Sequence, residues 1–73
     1  MQKSIHSSEY RTVVKKLREA RDSTGLTQAE AAKKLGKPQS YISKIERGER
    51  RVDVVELARV AKEYGRNIEW FLK

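Results

Sequence analysis

Cysteine is absent from the 73 residues, so neither a disulfide nor a thiolate metal site can hold this chain together, and its stability must come from packing. Histidine occurs once, as His6, and a single imidazole cannot assemble a metal site. Apolar runs stop at two or three residues, far short of the ~20 needed to span a bilayer, and no signal-peptide segment follows Met1. The expectation is a cytoplasmic protein with no membrane contact, no metal and no cofactor. Runs of alternating β-branched residues are missing as well, which leaves helices as the only regular element the sequence supports. The chain is too short to divide its apolar residues between two cores, so one domain is expected.

What is plentiful is positive charge. Seventeen Lys and Arg against ten Asp and Glu give a net charge of +7 and a pI near 10.0. The excess is unevenly spread: +3 over residues 1–26, +4 over 27–51 and 0 over 52–73. A basic first two thirds suits a polyanionic partner, although a solvated, solubilising surface would give the same count.

Helix punctuation is dense. Ser8 is placed to cap a first helix whose apolar positions Tyr10, Val13, Val14, Leu17 and Ala20 recur at three and four, and Gly25 ends it. Residues 1–8 then form a flexible N-terminal arm and 9–73 the domain. Thr27 with Glu30 makes a capping box, so a second helix starts at Gln28, shows Ala32 and Leu35 to the core and stops at Gly36. Lys37 and Pro38 connect it to a third helix with Ile42 and Ile45 buried, and Gly48 closes that one. Arg47 to Arg51 reads as an exposed basic loop. Asp53 with Glu56 is a second capping box, opening a fourth helix with Val54, Leu57, Ala58, Ala61 and Tyr64 inward as far as Gly65. Asn67 can cap a short fifth helix holding Ile68, Trp70, Phe71 and Leu72.

The segment TQAEAAKKLGKPQSYISKIERGER, residues 27–50, carries the functional signal. Two helices crossing steeply over a short turn need a small side chain where their axes approach, and Ala32 supplies it. Gly36 tolerates the positive φ of a tight turn. Leu35, Ile42 and Ile45 anchor the pair and leave Gln39, Ser40, Ser43, Lys44 and Arg47 facing away. Amides, hydroxyls and cations donate to base edges and phosphates, where carboxylates would be repelled. This segment, with the helices placed around it, resembles the helix-turn-helix of phage repressors, Cro proteins and related small bacterial regulators. The resemblance implies a compact all-α, five-helix, lambda-repressor-like domain with the motif in helices 2 and 3, binding double-stranded DNA by sequence as a transcriptional regulator, with a repressor as the expectation.

Residue by residue, the resemblance implies base reading by Gln39, Ser40 and Lys44 in the major groove. It implies phosphate contacts from Gln28 at a helix N-terminus, from Ser43, and from Lys37, Arg47, Arg50 and Arg51 beside the motif. Tyr41 is read as a packing residue whose hydroxyl reaches a phosphate. Arg21 and Glu46 match a pair that bridges the first helix to the recognition helix. Ile68 and Trp70 are candidate contacts of a weak homodimer that forms on DNA, with core filling the alternative for Trp70. Pro38 departs from the family pattern, since many relatives have there a residue able to cap the helix and touch a phosphate. Ser40 is shorter than its usual counterparts.

Other functions fit less well. An enzyme lacks its inventory, with one histidine, no cysteine and no glycine-rich phosphate loop. A protein-interaction module, such as an antitoxin or adaptor, is the alternative reading, with Trp70 and Phe71 as its contact. RNA fits poorly, because an A-form major groove excludes a helix. No small-molecule effector is implied, leaving regulation to abundance, a partner or proteolysis.

Overall fold

The computed structural model describes residues 7–73; His6 and most of the expected arm lie outside the described residues. Five helices follow in order: α1 (Ser8–Thr24), α2 (Gln28–Lys34), α3 (Gln39–Glu46), α4 (Val54–Glu63) and α5 (Ile68–Leu72). There is no strand among the described residues, so the fold is all-α. None of these helices is long and apolar enough to cross a membrane.

The cap of α1 is Ser7 and not Ser8. Ser7 has the extended backbone an N-cap requires, and its hydroxyl accepts from the Tyr10 N–H at 3.1 Å, while Ser8 is already helical. Adjacent serines offer the same chemistry, and only the backbone geometry decides between them. The buried face is Val13, Leu17, Ala20 and the side chain of Arg21, with Val14 and Tyr10 at its rim.

Helix α2 starts in the expected capping box, with the Glu30 N–H donating to Thr27 Oγ1 at 3.1 Å and the Thr27 N–H to Glu30 Oε1 at 2.9 Å. It ends through Gly36 at φ 69°: the Gly36 N–H reaches the Lys33 carbonyl at 3.1 Å and the Lys37 N–H the Ala32 carbonyl at 2.9 Å. That paired closure needs a left-handed residue, which explains the glycine. Pro38, extended at φ −71° and ψ 157°, is the N-cap of α3 and offers no side-chain hydrogen bond to it. The turn is therefore fixed by backbone restriction at both ends, a left-handed glycine followed by a proline. Ala31 and Ala32, both fully covered, let α2 lie close against α3.

In α4 the inward stripe is Leu57, Val60, Ala61 and Tyr64, not the set read from the sequence. Ala58 is exposed and Val54 is 70 % exposed. Val60 lies three and four residues from Leu57 and Tyr64 and so shares their face; Ala58 is one residue off Leu57, about 100° around the helix. Val54 has the right phase but sits in the first turn, where no other element covers it. Asn67 holds the N-cap position of α5, yet its side chain makes no capping bond there. What secures α5 is Phe71, wholly buried and lodged in the core with α1 and α4 packed on the same helix. Val52, between two exposed charged residues, is also buried, because the loop folds inward at that point.

Candidate nucleic-acid interface

Helix α3 is two-faced by construction. Tyr41, Ile42 and Ile45 are buried at spacings of one, three and four, which leaves Gln39, Ser40 and Lys44 exposed on the opposite side. The side chains of these three make no hydrogen bond or ion pair with any described residue, so their donors and acceptors are available to a ligand. Ser43 is half-buried and its hydroxyl donates to the Ser40 carbonyl at 3.3 Å. That leaves its oxygen lone pairs as the free function.

A buried polar network holds α3 in place from behind. Arg21 Nε donates to Glu46 Oε2 at 2.6 Å and Arg21 Nη2 to Glu46 Oε1 at 3.0 Å, while Arg21 Nη1 donates to the Leu26 carbonyl at 2.8 Å. Gln28 Nε2 donates to the same Glu46 Oε1 at 2.9 Å. One carboxylate thus joins α1, the start of α2 and the last turn of α3. The hydrogen bonds to the Glu46 carboxylate raise the pKa of the Arg21 guanidinium against the opposing effect of burial, so the guanidinium stays charged. Tyr64 packs nearby, its hydroxyl pushed up to about 12 by burial first and by the negative charge of Glu46 second. In this network the Gln28 amide nitrogen is turned inward to Glu46, leaving its amide oxygen and the backbone N–H groups of the helix start as the outward functions.

The loop after α3 carries the remaining cations. Arg47 pairs with Glu49 through two hydrogen bonds of 3.1 Å, both partners being more than half exposed. Arg50 pairs with Glu56 through two hydrogen bonds of 3.2 and 3.1 Å and also donates to the Arg51 carbonyl at 2.7 Å. Its guanidinium lies 4.7 Å from the Tyr41 ring centre, and the Lys37 ammonium lies 5.2 Å from the same ring. Arg51 is exposed, 5.9 Å from the Tyr10 ring. Tyr10 anchors the loop, its hydroxyl accepting from the Val52 N–H at 2.9 Å and donating to the Arg50 carbonyl at 3.4 Å. Arg11, Lys15 and Arg18 of α1 line one open groove of about 620 Å³ with Arg47, together with Glu19 and Asp22. Cations of the loop and of α1 thus share this groove, interspersed with carboxylates.

Two residues of this region escaped the sequence reading. Glu56 was visible only as the third residue of a capping box, and its hold on Arg50 depends on how the loop folds back. Tyr10 showed only as an apolar position, although a partly buried phenol usually finds a polar partner. On α5, Trp70 is half-buried, its ring edge-on to Phe71 at 5.1 Å, with Lys16 and Arg66 at 5.2 and 4.3 Å from its centre. Ile68 is half-buried, with Val54 and Leu72, 70 % and 64 % exposed, beside it around a shallow apolar cleft. No group of acidic or histidine side chains among the described residues could hold a metal ion.

The sequence model of a helix-turn-helix family matches residues 17–71, most of the described chain. Among solved structures, an XRE-family like protein from Pseudomonas syringae pv. tomato str. DC3000 superposes with a TM-score of 0.84 at 40 % identity, covering 94 % of this chain and 84 % of that one. No curated protein matches. The family match over most of the chain, and the exposed face of α3 held from behind by Arg21 and Glu46, lead to one conclusion: the chain belongs to the helix-turn-helix family of Cro- and repressor-like DNA-binding transcriptional regulators, a regulatory fold and not an enzyme family.

Proposed function

We propose that this regulator reads a specific duplex sequence by laying α3 in the major groove, and that it acts as a repressor by occupying its site. The observation that carries the reading is the exposed and unengaged set Gln39, Ser40 and Lys44 on a helix whose back is locked by the Arg21–Glu46–Gln28 network. Gln39 has the two-ended amide that pairs with adenine N6 and N7, and Lys44 donates to guanine N7 and O6, with Ser40 reading the neighbouring position. Phosphates on either side are taken by Lys37, Ser43, Arg47, Arg50 and Arg51, by the Tyr41 hydroxyl, and by the backbone N–H groups around Gln28 at the start of α2. Arg47 is ion-paired to Glu49 in the free protein, so its contribution is smaller than that of the unpaired Lys37, Lys44 and Arg51.

One recognition helix spans a few base pairs, so the functional unit is a two-fold dimer on a near-palindromic site, with the two copies of α3 about 34 Å apart. The surface around Ile68, where Val54 and Leu72 are exposed and the net charge of residues 52–73 is zero, suits that contact. Its small area fits a dimer that DNA assembles. The protein works in the cytoplasm without a small-molecule effector, its occupancy following its abundance. Selection of bound duplexes from a randomised library tests the reading: enrichment of one palindromic motif is expected, and recovery of unenriched sequence would overturn it.

A further inference from the structure

The geometry points to Glu56 as a positioning residue for DNA binding: an acidic side chain that strengthens the hold on a backbone phosphate by aiming Arg50 at it. This inference rests on the proposed duplex binding. A carboxylate next to a phosphate-binding surface should by charge alone weaken it. The contacts of Glu56 argue for the opposite sign.

Arg50 has five N–H donors in a planar fork. Two meet the Glu56 carboxylate oxygens and a third reaches the Arg51 carbonyl. The Nε–H and the second Nη2–H, which share the other edge of the guanidinium, have no partner among the described residues. That edge is a two-donor fork of the shape a phosphate accepts. The plane is held from a second side by the Tyr41 ring at 4.7 Å, and Lys37 brings a further cation to the same ring at 5.2 Å. Glu56 is itself fixed, because Oε1 also accepts the Asp53 N–H at 3.0 Å and its own N–H donates to Asp53 Oδ1 at 2.8 Å. The chain of support runs from the rigid start of α4 through Glu56 to Arg50. A fork ordered before binding does not lose side-chain freedom when the phosphate arrives. In this arrangement the negative charge of Glu56 is neutralised on one edge of Arg50, and the other edge is left for the phosphate.

The test is duplex binding by the full chain over a series of salt concentrations, with thermal melting of each variant as the check on folding. Glu56→Gln keeps an oxygen for the Asp53 N–H and raises the net charge by one. It should nevertheless weaken binding roughly 2- to 10-fold, the range expected when a long side chain is ordered at binding instead of before it. Arg50→Lys keeps the charge and loses the fork, and should weaken binding to a similar extent. In the Arg50→Lys background Glu56→Gln should no longer weaken binding, an interaction that a general structural defect would not produce. Tighter binding by Glu56→Gln, unchanged binding by Arg50→Lys, or an equal loss from Glu56→Gln in both backgrounds would each overturn the role of Glu56 while leaving duplex binding intact. A wild-type chain that fails to bind duplex at low salt would instead overturn the reading on which it rests.

Discussion

Removing the Glu46 carboxylate should unfold this domain more readily than almost any other single truncation at its surface or core edge. The side chains of Arg21 and Glu46 are 10 % and 5 % exposed, so both charges have left water, and Glu46→Ala would strand the Arg21 guanidinium with the Leu26 carbonyl and an exposed Asp22 at 3.4 Å. Gln28 Nε2 would lose its partner in the same step. Breaking one side of a buried ion pair costs about 3–5 kcal/mol. At ~0.05–0.15 kcal/mol per residue, a domain of this length has roughly 4–11 kcal/mol in total. With about 4–8 °C lost per kcal/mol, the melting temperature should fall by roughly 12 °C or more. Thermal and denaturant unfolding followed by circular dichroism measures this directly. The double replacement Arg21→Met, Glu46→Leu removes both charges and should recover the part of the loss that comes from the stranded guanidinium, while Gln28 Nε2 and the Leu26 carbonyl still lack their partners. A Glu46→Ala cost below about 1 kcal/mol, the size of an exposed pair, would refute the reasoning.

Three further outcomes follow from the same structure. Tyr64 ionises near 12 in the fold against 10.0 in the open chain, so it adds stability that is complete below pH 10 and is lost as pH rises through the folded value; Tyr64→Phe should flatten the alkaline limb of a stability profile. Gly36→Ala should cost about 1–2 kcal/mol from backbone strain at φ +69° alone, since open space surrounds the added methyl, and Gly36→Asn should cost less. Val54→Glu, at an exposed apolar position, should change stability by no more than about 0.5 kcal/mol, yet lower the affinity for a palindromic site more than for a half-site; equal affinity of the unaltered protein for both sites would remove the dimer.

The helices were legible because their boundaries are written in local chemistry. Thr27 with Glu30, Asp53 with Glu56, and Gly25, Gly36, Gly48 and Gly65 act within three or four residues of themselves. Where two neighbours carry the same chemistry, as Ser7 and Ser8 do, sequence alone does not choose. The face of α4 was misread because two alanines and several valines are compatible with more than one stripe; the spacing of Val60 from Leu57 and Tyr64 puts it on their face and leaves Ala58 about 100° away. The outward set of α3 was legible from Ile42 and Ile45, whose burial fixes the phase of the helix. The network behind it was legible only in part: resemblance supplied the pairing of Arg21 with Glu46, but the turn of Gln28 inward and the grip of Glu56 on Arg50 are tertiary, and no spacing announces them.

The central claim is that α3 reads base edges through Gln39, and the most direct measurement is the affinity of Gln39→Ala for the selected site and for unrelated duplex, each over a range of salt. Loss of about 1–3 kcal/mol on the selected site is predicted, with non-specific affinity and its salt slope of roughly −0.9 per neutralised phosphate unchanged, because the amide carries no charge. Wild-type affinity of Gln39→Ala for the selected site, or equal loss on both duplexes, would contradict it.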